Sequence, residues 1–359
     1  MLRMIIALIL SAAIVLLTGP KLIAWLRKLK LGQTMYELGP QSHMKKQGTP
    51  IMGGLCIALG CVAAFIVCGA TLGAWDHMLA LLFVALGSMA VGFGDDWIKM
   101  VKKRHEGLTP WQKIIGQAVV CVGFACYCYF HPEVGSKVIV PFVNIEWDLG
   151  IFYIPLLALT VLFMVNSANL QDGLDGILSS VTAVGSIGWA AIALTTAGTL
   201  VNVAGSYGVG IVNYPEDMAA RTALAGNYQT IAVFALALCG ACIGFLRFNH
   251  YPATVFMGDT GSMFIGGAVV GMAMLLREPF LLLLIGFTMV MSSASVILQR
   301  YYYKLTRKLT GTPKRLFKMS PIHHHFEMCG MKETQIVLMY TIVTVVLSVI
   351  AWFSINVLF

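Results

Sequence analysis

The stretch Asn166-Ser-Ala-Asn-Leu-Gln-Asp-Gly-Leu-Asp-Gly176 lies between two apolar segments, each long enough to cross a bilayer. It carries an amide or a carboxylate at every third position, at Asn166, Asn169, Asp172 and Asp175. A helical turn or two would place these four side chains on one face. Ionisable groups at the end of a membrane helix are costly and usually functional. Gly173 and Gly176 favour a helix break there, which would free backbone N–H groups for an anion.

The composition is that of a polytopic membrane protein. Of the 359 residues, 58% are hydrophobic and only 11% are charged, whereas a soluble domain carries about a quarter charged residues. No polar stretch is long enough for a soluble domain, so we predict a single membrane domain over residues 1–359. Eight of the nine cysteines lie in apolar runs, which argues against a disulfide framework.

Windows of about 20 apolar residues predict ten transmembrane helices in an all-α fold. They lie near 2–26, 51–70, 77–95, 112–130, 150–168, 175–197, 227–247, 260–277, 279–303 and 334–358. The second is diluted by glycines, and the ninth continues past the membrane as one long helix through residues 301–308. Between the fourth and fifth spans, a β-rich segment near 136–148 predicts a short extracytoplasmic hairpin.

The basic residues fall almost entirely in the loops that follow odd-numbered spans. The positive-inside rule therefore predicts that these loops are cytoplasmic and that both termini are extracytoplasmic. The net charge of +8 follows this membrane asymmetry, so we expect no nucleic-acid partner.

Five carboxylates lie at the predicted cytoplasmic ends of spans and come from three separate loops: Asp95, Asp96, Asp172, Asp175 and Asp259. Paired carboxylates suit Mg²⁺, a hard cation that few protein ligands and substrate phosphates hold together. A solvated helix end is the alternative for Asp95 and Asp96, and a helix cap is the alternative for Asp259. Spacing alone leaves open which carboxylate binds the metal.

Three further loops on the same predicted face carry polar groups. Residues 248–262 offer Asn249 and Phe256, an amide and a ring that suit a nucleotide. Three histidines, His323, His324 and His325, suit phosphates or a sugar better than zinc, because adjacent histidines lack zinc-ligand spacing. Residues 45–54 place lysines beside a Gly-Thr-Pro turn, and Lys113 lies at the foot of the fourth span. Each loop could instead be an ordinary solvated or anchoring segment.

These motifs together resemble the phospho-N-acetylmuramoyl-pentapeptide transferase family. They are Gly48-Thr-Pro-Ile-Met-Gly-Gly54, Asp95-Asp96, Asn169-Leu-Gln-Asp-Gly-Leu-Asp-Gly176, Phe256-Met-Gly-Asp259 and Pro321-Ile-His-His-His-Phe-Glu327. Several are shared with the wider superfamily of polyprenyl-phosphate N-acetylhexosamine-1-phosphate transferases, and the histidine loop points to the muramoyl-pentapeptide branch. Ile51 departs from the threonine usual in the family, which puts a hydrogen bond from that side chain in doubt.

The resemblance implies an enzyme of the bacterial inner membrane with a cytoplasmic cleft, forming a homodimer. Its substrates would be UDP-MurNAc-pentapeptide and undecaprenyl phosphate, and its products would be lipid I and UMP, with Mg²⁺ as cofactor. The catalytic residues would be Asp95, Asp96, Asp259, His323, His324, His325 and Lys113, with Asp259 as the metal ligand. The substrate-binding residues would be Lys46, Thr49, Asn169, Asp172, Gly173, Leu174, Asp175, Asn249 and Phe256.

Two alternatives stay open. A sister enzyme of the superfamily would transfer GlcNAc-1-phosphate from UDP-GlcNAc to the same lipid, and donor preference separates the two. A nucleotide-sugar or lipid transporter would instead carry ionisable residues at span centres, in paired broken helices. The clustering of carboxylates at one interface favours an enzyme. We also expect the long ninth helix to lean away from its neighbours and offer a groove to the polyprenyl tail.

Overall fold

A computed structural model describes residues 1–28, 48–72, 75–102, 107–143, 145–202, 215 and 217–356. Within these residues the chain forms twelve α-helices and one two-stranded sheet. The helices are α1 (Leu2–Lys28), α2 (Gly54–Gly69), α3 (Trp75–Val101), α4 (Pro110–Phe130), α5 (Tyr153–Gln171), α6 (Ile177–Asn202), α7 (Met218–Asn249), α8 (Gly258–Leu275), α9 (Leu282–Ile285), α10 (Phe287–Thr310), α11 (Ile322–Met328) and α12 (Glu333–Asn356). The predicted all-α membrane fold is confirmed.

Eight of the described helices are long and apolar enough to cross a membrane, so the chain is a multi-pass membrane protein. The predicted second span is a shorter apolar helix of 16 residues, α2. The predicted ninth helix does continue through residues 301–308, within α10. Its predicted start is wrong, because residues 279–285 and α10 meet at an angle of 86°. Gly286 causes the break: its backbone leaves helical geometry, and a Cβ there would lie 2.7 Å from the Leu282 carbonyl oxygen.

Helix α8 forms the centre of the bundle and is almost entirely buried. Its glycines allow two neighbours to approach closely. A Cβ at Gly267 would lie 2.6 Å from the Val84 carbonyl oxygen of α3, and a Cβ at Gly266 would lie 2.6 Å from Val165 Cα of α5. These close approaches bring the ends of α3 and α5 to the beginning of α8, where the candidate site lies.

The predicted hairpin is confirmed. Strands β1 (Lys137–Val140) and β2 (Ile145–Asp148) pair antiparallel, with Lys137 opposite Asp148 and Val140 opposite Ile145. Just beyond α8, the backbone carbonyl of Arg277 accepts a 2.8 Å hydrogen bond from Ile139 N, and its guanidinium pairs with Glu146. The hairpin is therefore fixed to the end of α8 opposite the candidate site.

We expect the pair between Glu146 and Arg277 to stabilise the fold only above acidic pH. Burial raises the pKa of Glu146, whereas Arg277 and Lys137 lower it. The lowering is the larger effect, so the pKa lies below its ordinary value of 4.5. A carboxyl with a lowered pKa contributes stability above its unfolded pKa, and that contribution disappears as the pH falls. At pH 7, Glu146→Gln should therefore lower the melting temperature by roughly 2–4 °C.

Thermal melts of both proteins across pH measure this effect. The difference between wild type and Glu146→Gln should shrink as the pH falls below about 4.5. A difference that stays constant down to pH 3 would show that the charge of Glu146 is not what stabilises the hairpin.

Candidate active site

The candidate site forms where the last turns of α3, the first turn of α4, the end of α5 and the beginning of α8 converge. At its centre is Asp259, in the first turn of α8. One of its carboxylate oxygens accepts from Lys113 Nζ at 2.8 Å and Lys99 Nζ at 3.1 Å. The other accepts from Asn169 Nδ2 at 2.7 Å. Residues from four helices thus meet at one carboxylate, whose side chain remains 17% exposed.

Asp96 satisfies the free backbone N–H groups at the beginning of α8. Its Oδ2 accepts from Thr260 N at 2.9 Å and from Thr260 Oγ1 at 2.7 Å, while its Oδ1 lies 3.3 Å from Asp259 N. The side chain is buried. Asp96 therefore fixes the position of the Asp259 backbone, and both residues keep their places only if α3 and α8 stay together.

Asp95 lies on the lysine side of the cluster. Its Oδ2 is 2.6 Å from Lys99 Nζ and 3.9 Å from Lys113 Nζ, and its Oδ1 accepts from Leu108 N at 2.8 Å. A Cβ at Gly107 would overlap the Asp95 carboxylate. The segment before α4 can therefore cover this carboxylate only with glycine at position 107.

The donor set fits a hard divalent cation. Asp95, Asp96 and Asp259 each offer a carboxylate oxygen, and these atoms all lie within 4.8 Å of one another. Among the described residues, two ammonium groups, those of Lys99 and Lys113, contact these three carboxylates, so this part of the cluster favours additional positive charge. Oxygen ligands at this spacing suit a cation that also binds substrate phosphates.

Lys99 is the site residue that sequence reasoning missed, because it was assigned only to the basic side of the membrane. It lies one helical turn after Asp95 and contacts Asp95 and Asp259. The i,i+4 spacing of Asp95 and Lys99 on a helix was the signal that could have identified it.

The 166–176 stretch breaks as predicted. Helix α5 ends at Gln171 and α6 begins at Ile177, with Gly176 in the left-handed region at φ +77°. Because α5 ends at Gln171, Asp172 and Asp175 do not continue the helical face that carries Asn166 and Asn169. Asn169 reaches Asp259, whereas Asn166 donates to Gln117 Oε1 at 2.9 Å, inside the bundle.

Asp172 follows the end of α5 and faces the other carboxylates. Burial raises its pKa to about 8, and the negative charges of Asp259, Asp175 and Asp96 add to this shift. A cation bound beside Asp172 would favour its charged form. The raised pKa is thus a second sign that this region favours positive charge.

Asp175 ties the stretch to the loop before α8. Its Oδ2 accepts from Ala253 N at 2.9 Å, and its own N–H donates to Glu333 Oε1 at 2.6 Å. Leu174 beside it is buried. The Asp175 carboxylate therefore lies next to the segment that leads to Asp259.

Asn249 and Phe256 make different contacts in the loop between α7 and α8. Asn249 is 3% exposed, and its amide donates to Val255 O and accepts from Ser179 Oγ, so it serves to hold the loop. Phe256 is half-buried, and its backbone bonds to Pro50 O and Gly53 N. The motif that contains Thr49 and Ile51 is thereby placed beside Phe256. Lys46 lies outside the described residues.

The three histidines lie on the short helix α11, against the 166–176 stretch. His323 is fully buried and packs edge-on to His324, with ring centroids 4.3 Å apart. His324 Nδ1 lies 3.1 Å from Glu327 Oε2, and His325 Nδ1 accepts from Lys318 N at 3.1 Å. A Cβ at Gly173 would overlap His323 Nε2 and lie 3.1 Å from His324 Nε2. The structure thus joins two motifs that are 150 residues apart in sequence.

Gly173→Ala should displace the histidines from the stretch. We expect activity to fall about ten- to a hundredfold, because a shift of about 1 Å in a positioned group is enough for such a loss. Gly198→Ala is the matched control, since a Cβ at Gly198 meets nothing within 4 Å. Steady-state rates of both variants test this, and equal rates would show that the close contact is not needed for catalysis.

Comparisons with known proteins gave matches to one family model and to several relatives. The family model described as "Glycosyl transferase family 4" matches residues 78–277. A phospho-N-acetylmuramoyl-pentapeptide-transferase of Clostridioides difficile (strain 630) is 40% identical over 96% of this chain and 95% of that protein. Proteins of the same name from Clostridium perfringens (strain 13 / Type A) and Heliobacterium modesticaldum are 39% and 40% identical, over 98% and 93% of this chain and 98% and 92% of the relatives.

Proposed function

Because this chain belongs to the phospho-N-acetylmuramoyl-pentapeptide-transferase family, we propose that it transfers phospho-MurNAc-pentapeptide from UDP-MurNAc-pentapeptide to undecaprenyl phosphate. The products are lipid I and UMP. One observation supports this proposal most directly. Three carboxylates and two ammonium groups lie in contact at one end of the bundle: Asp95, Asp96, Asp259, Lys99 and Lys113.

Phosphoryl transfer asks a protein mainly to position two anions and to neutralise charge on the transferred group. The proposed metal is Mg²⁺, held by Asp259 with Asp95 and Asp96 beside it. When bound, it supplies Lewis-acid stabilisation of the donor diphosphate and orients it. Asp259 is the most accessible of the three carboxylates, which supports its role as metal ligand.

The residues around Asp259 are proposed to have different roles, according to where each lies in the site. Lys113 and Lys99, whose ammonium groups contact Asp259, would bind the substrate phosphates beside the bound cation. Asp95 accepts the proton of the lipid phosphate. His323, His324 and His325 face the diphosphate and muramoyl side, next to Gly173. Each of these groups offsets charge or moves a proton in a site away from bulk water.

The uridine end lies towards the loop before α8. Asp175 and Phe256 hold the base by hydrogen bonding and stacking, with Asn169 and Asp172 nearer the sugar and diphosphate. Thr49 and Leu174 are proposed to bind the nucleotide beside these residues, and Lys46 is proposed to bind the substrate phosphates. Asn249 acts by holding the loop, since its amide is bonded within the protein.

The acceptor phosphate has to reach the site while its polyprenyl tail stays in lipid. We propose that the site faces the cytoplasm, with both termini outside, because the basic residues follow that pattern. The bent pair of α9 and α10 replaces the long leaning helix as the proposed groove for the tail. The enzyme is proposed to act as a homodimer in the bacterial inner membrane.

UMP release by the purified, detergent-solubilised protein tests the function. The assay contains undecaprenyl phosphate and Mg²⁺, with either UDP-MurNAc-pentapeptide or UDP-GlcNAc as donor. UMP and lipid I from the muramoyl donor alone are expected. Release from UDP-GlcNAc instead would assign the protein to the sister branch, and no release from either donor in a folded sample would contradict the transferase proposal.

A further inference from the structure

A second cluster of potential ligands lies at the other end of α3. It consists of Asp76 and His77 in the first turn of α3 and His131 immediately after α4. Asp95 lies nineteen positions after Asp76 on the same helix, a distance of about 28 Å. The cluster is thus remote from the candidate active site, and the proposed transfer reaction gives it no role.

The three side chains converge on a small volume. His131 Nε2 lies 3.0 Å from Asp76 Oδ2, and His77 Nδ1 lies 3.7 Å from Asp76 Oδ1. The two imidazole rings meet edge to face, with centroids 5.0 Å apart. One ligand atom from each residue can be chosen so that all lie within 4.8 Å of one another.

A histidine–aspartate hydrogen bond explains only part of this cluster. It accounts for Asp76 and His131 but leaves His77, which is fully buried. Neither ring nitrogen of His77 has a hydrogen-bond partner within the described part of the chain. A buried imidazole whose nitrogens form no hydrogen bond is costly, and a cation bound between His77, Asp76 and His131 would satisfy it.

We propose that Asp76, His77 and His131 form a site for a divalent transition metal such as Zn²⁺. Two imidazole nitrogens and one carboxylate oxygen form a typical zinc donor set, with water in the fourth position. Ligand atoms around zinc lie roughly 3.4 Å apart. Asp76, whose side chain is 49% exposed, would have to shift slightly from its present bonds to His77 N and His131 Nε2. The all-oxygen cluster at the other end of α3 suits Mg²⁺ instead.

Zinc binding requires one rearrangement. Coordination through His131 Nε2 leaves the ring proton on Nδ1, which now accepts from Glu133 N at 3.3 Å. That contact is longer than a usual N–H donor distance, so losing it costs little. Tyr127, whose ring centroid lies 5.2 Å from that of His131, packs beside the site.

Calorimetric titration with Zn²⁺ tests the site directly. The chelator-treated full chain is titrated with excess Mg²⁺ present, which fills the oxygen cluster. A Cys329→Ser background removes an exposed thiol that lies 3.8 Å from His325 and would compete for zinc. We expect one Zn²⁺ per chain, bound at least about tenfold more weakly by Asp76→Asn, His77→Ala or His131→Ala. His250→Ala, an exposed histidine at the far end of α7, should bind as wild type does.

Asp76 is half exposed, so Asp76→Asn should not disturb folding. A thermal melt of each variant accompanies the titration and checks that the variant is folded. Unchanged affinity in folded Asp76→Asn and His131→Ala, or no binding of Zn²⁺ by the parent protein, would overturn the proposal. No substrate is present, so the result is independent of the proposed transferase activity.

Discussion

Asp259→Asn should reduce UMP release by roughly a thousandfold, the largest effect of any single substitution in the site. The change keeps the shape of the side chain and the contact with Asn169 but removes the charge that Lys99 and Lys113 now share. It also removes the proposed metal ligand. We therefore expect the loss mainly in kcat, with the melting temperature little changed, because Asp96 still holds the first turn of α8.

Asp148→Asn is the matched control, since Asp148 is an exposed carboxylate on the hairpin at the other end of α8. Its UMP release should equal that of wild type. Activity of Asp259→Asn within tenfold of wild type would show that the carboxylate charge is not needed for transfer.

Lys113→Met should reduce activity about a hundredfold, the second largest effect. Methionine fills a similar volume but cannot neutralise phosphate charge. Lys113 Nζ lies 2.8 Å from Asp259 and 3.9 Å from Asp95, so its loss leaves those carboxylates paired with Lys99 alone within the described part of the chain. We expect weaker binding of the diphosphate donor, seen as a higher KM, and a slower chemical step, seen as a lower kcat.

Steady-state kinetics with varied donor measure both constants. Lys102→Met serves as the control, because Lys102 is exposed just after α3 and makes no contact with the cluster among the described residues. A loss in Lys102→Met as large as in Lys113→Met would mean that general surface charge, rather than this lysine, supports the reaction.

Much of the site was predictable because charged side chains are conspicuous at the ends of apolar spans. Asp95, Asp96 and Asp259 stood out at span ends, and the structure brings them together. What sequence reasoning could not supply was the direction of each side chain. Asp96 turns to the backbone of α8, and Asn249 turns into its own loop.

The remaining differences have physical causes that hydropathy and residue spacing do not show. Lys99 was missed because its role depends on Asp259, which is 160 residues away. The break at Gly286 was missed because hydropathy measures how apolar a segment is and not whether its helix is continuous. The roles of Gly267 and Gly173 depend on neighbours that are likewise distant in sequence.

We propose that the Asp95–Asp96–Asp259 cluster binds the divalent cation that transfer requires. The most direct measurement is a titration of Mg²⁺ into chelator-treated wild type and Asp259→Asn, with UMP release from UDP-MurNAc-pentapeptide as the readout. We predict that wild type is inactive without Mg²⁺ and recovers in a saturable manner, while Asp259→Asn stays inactive at every concentration. Full activity without divalent cation, or the same Mg²⁺ dependence in both proteins, would contradict the account.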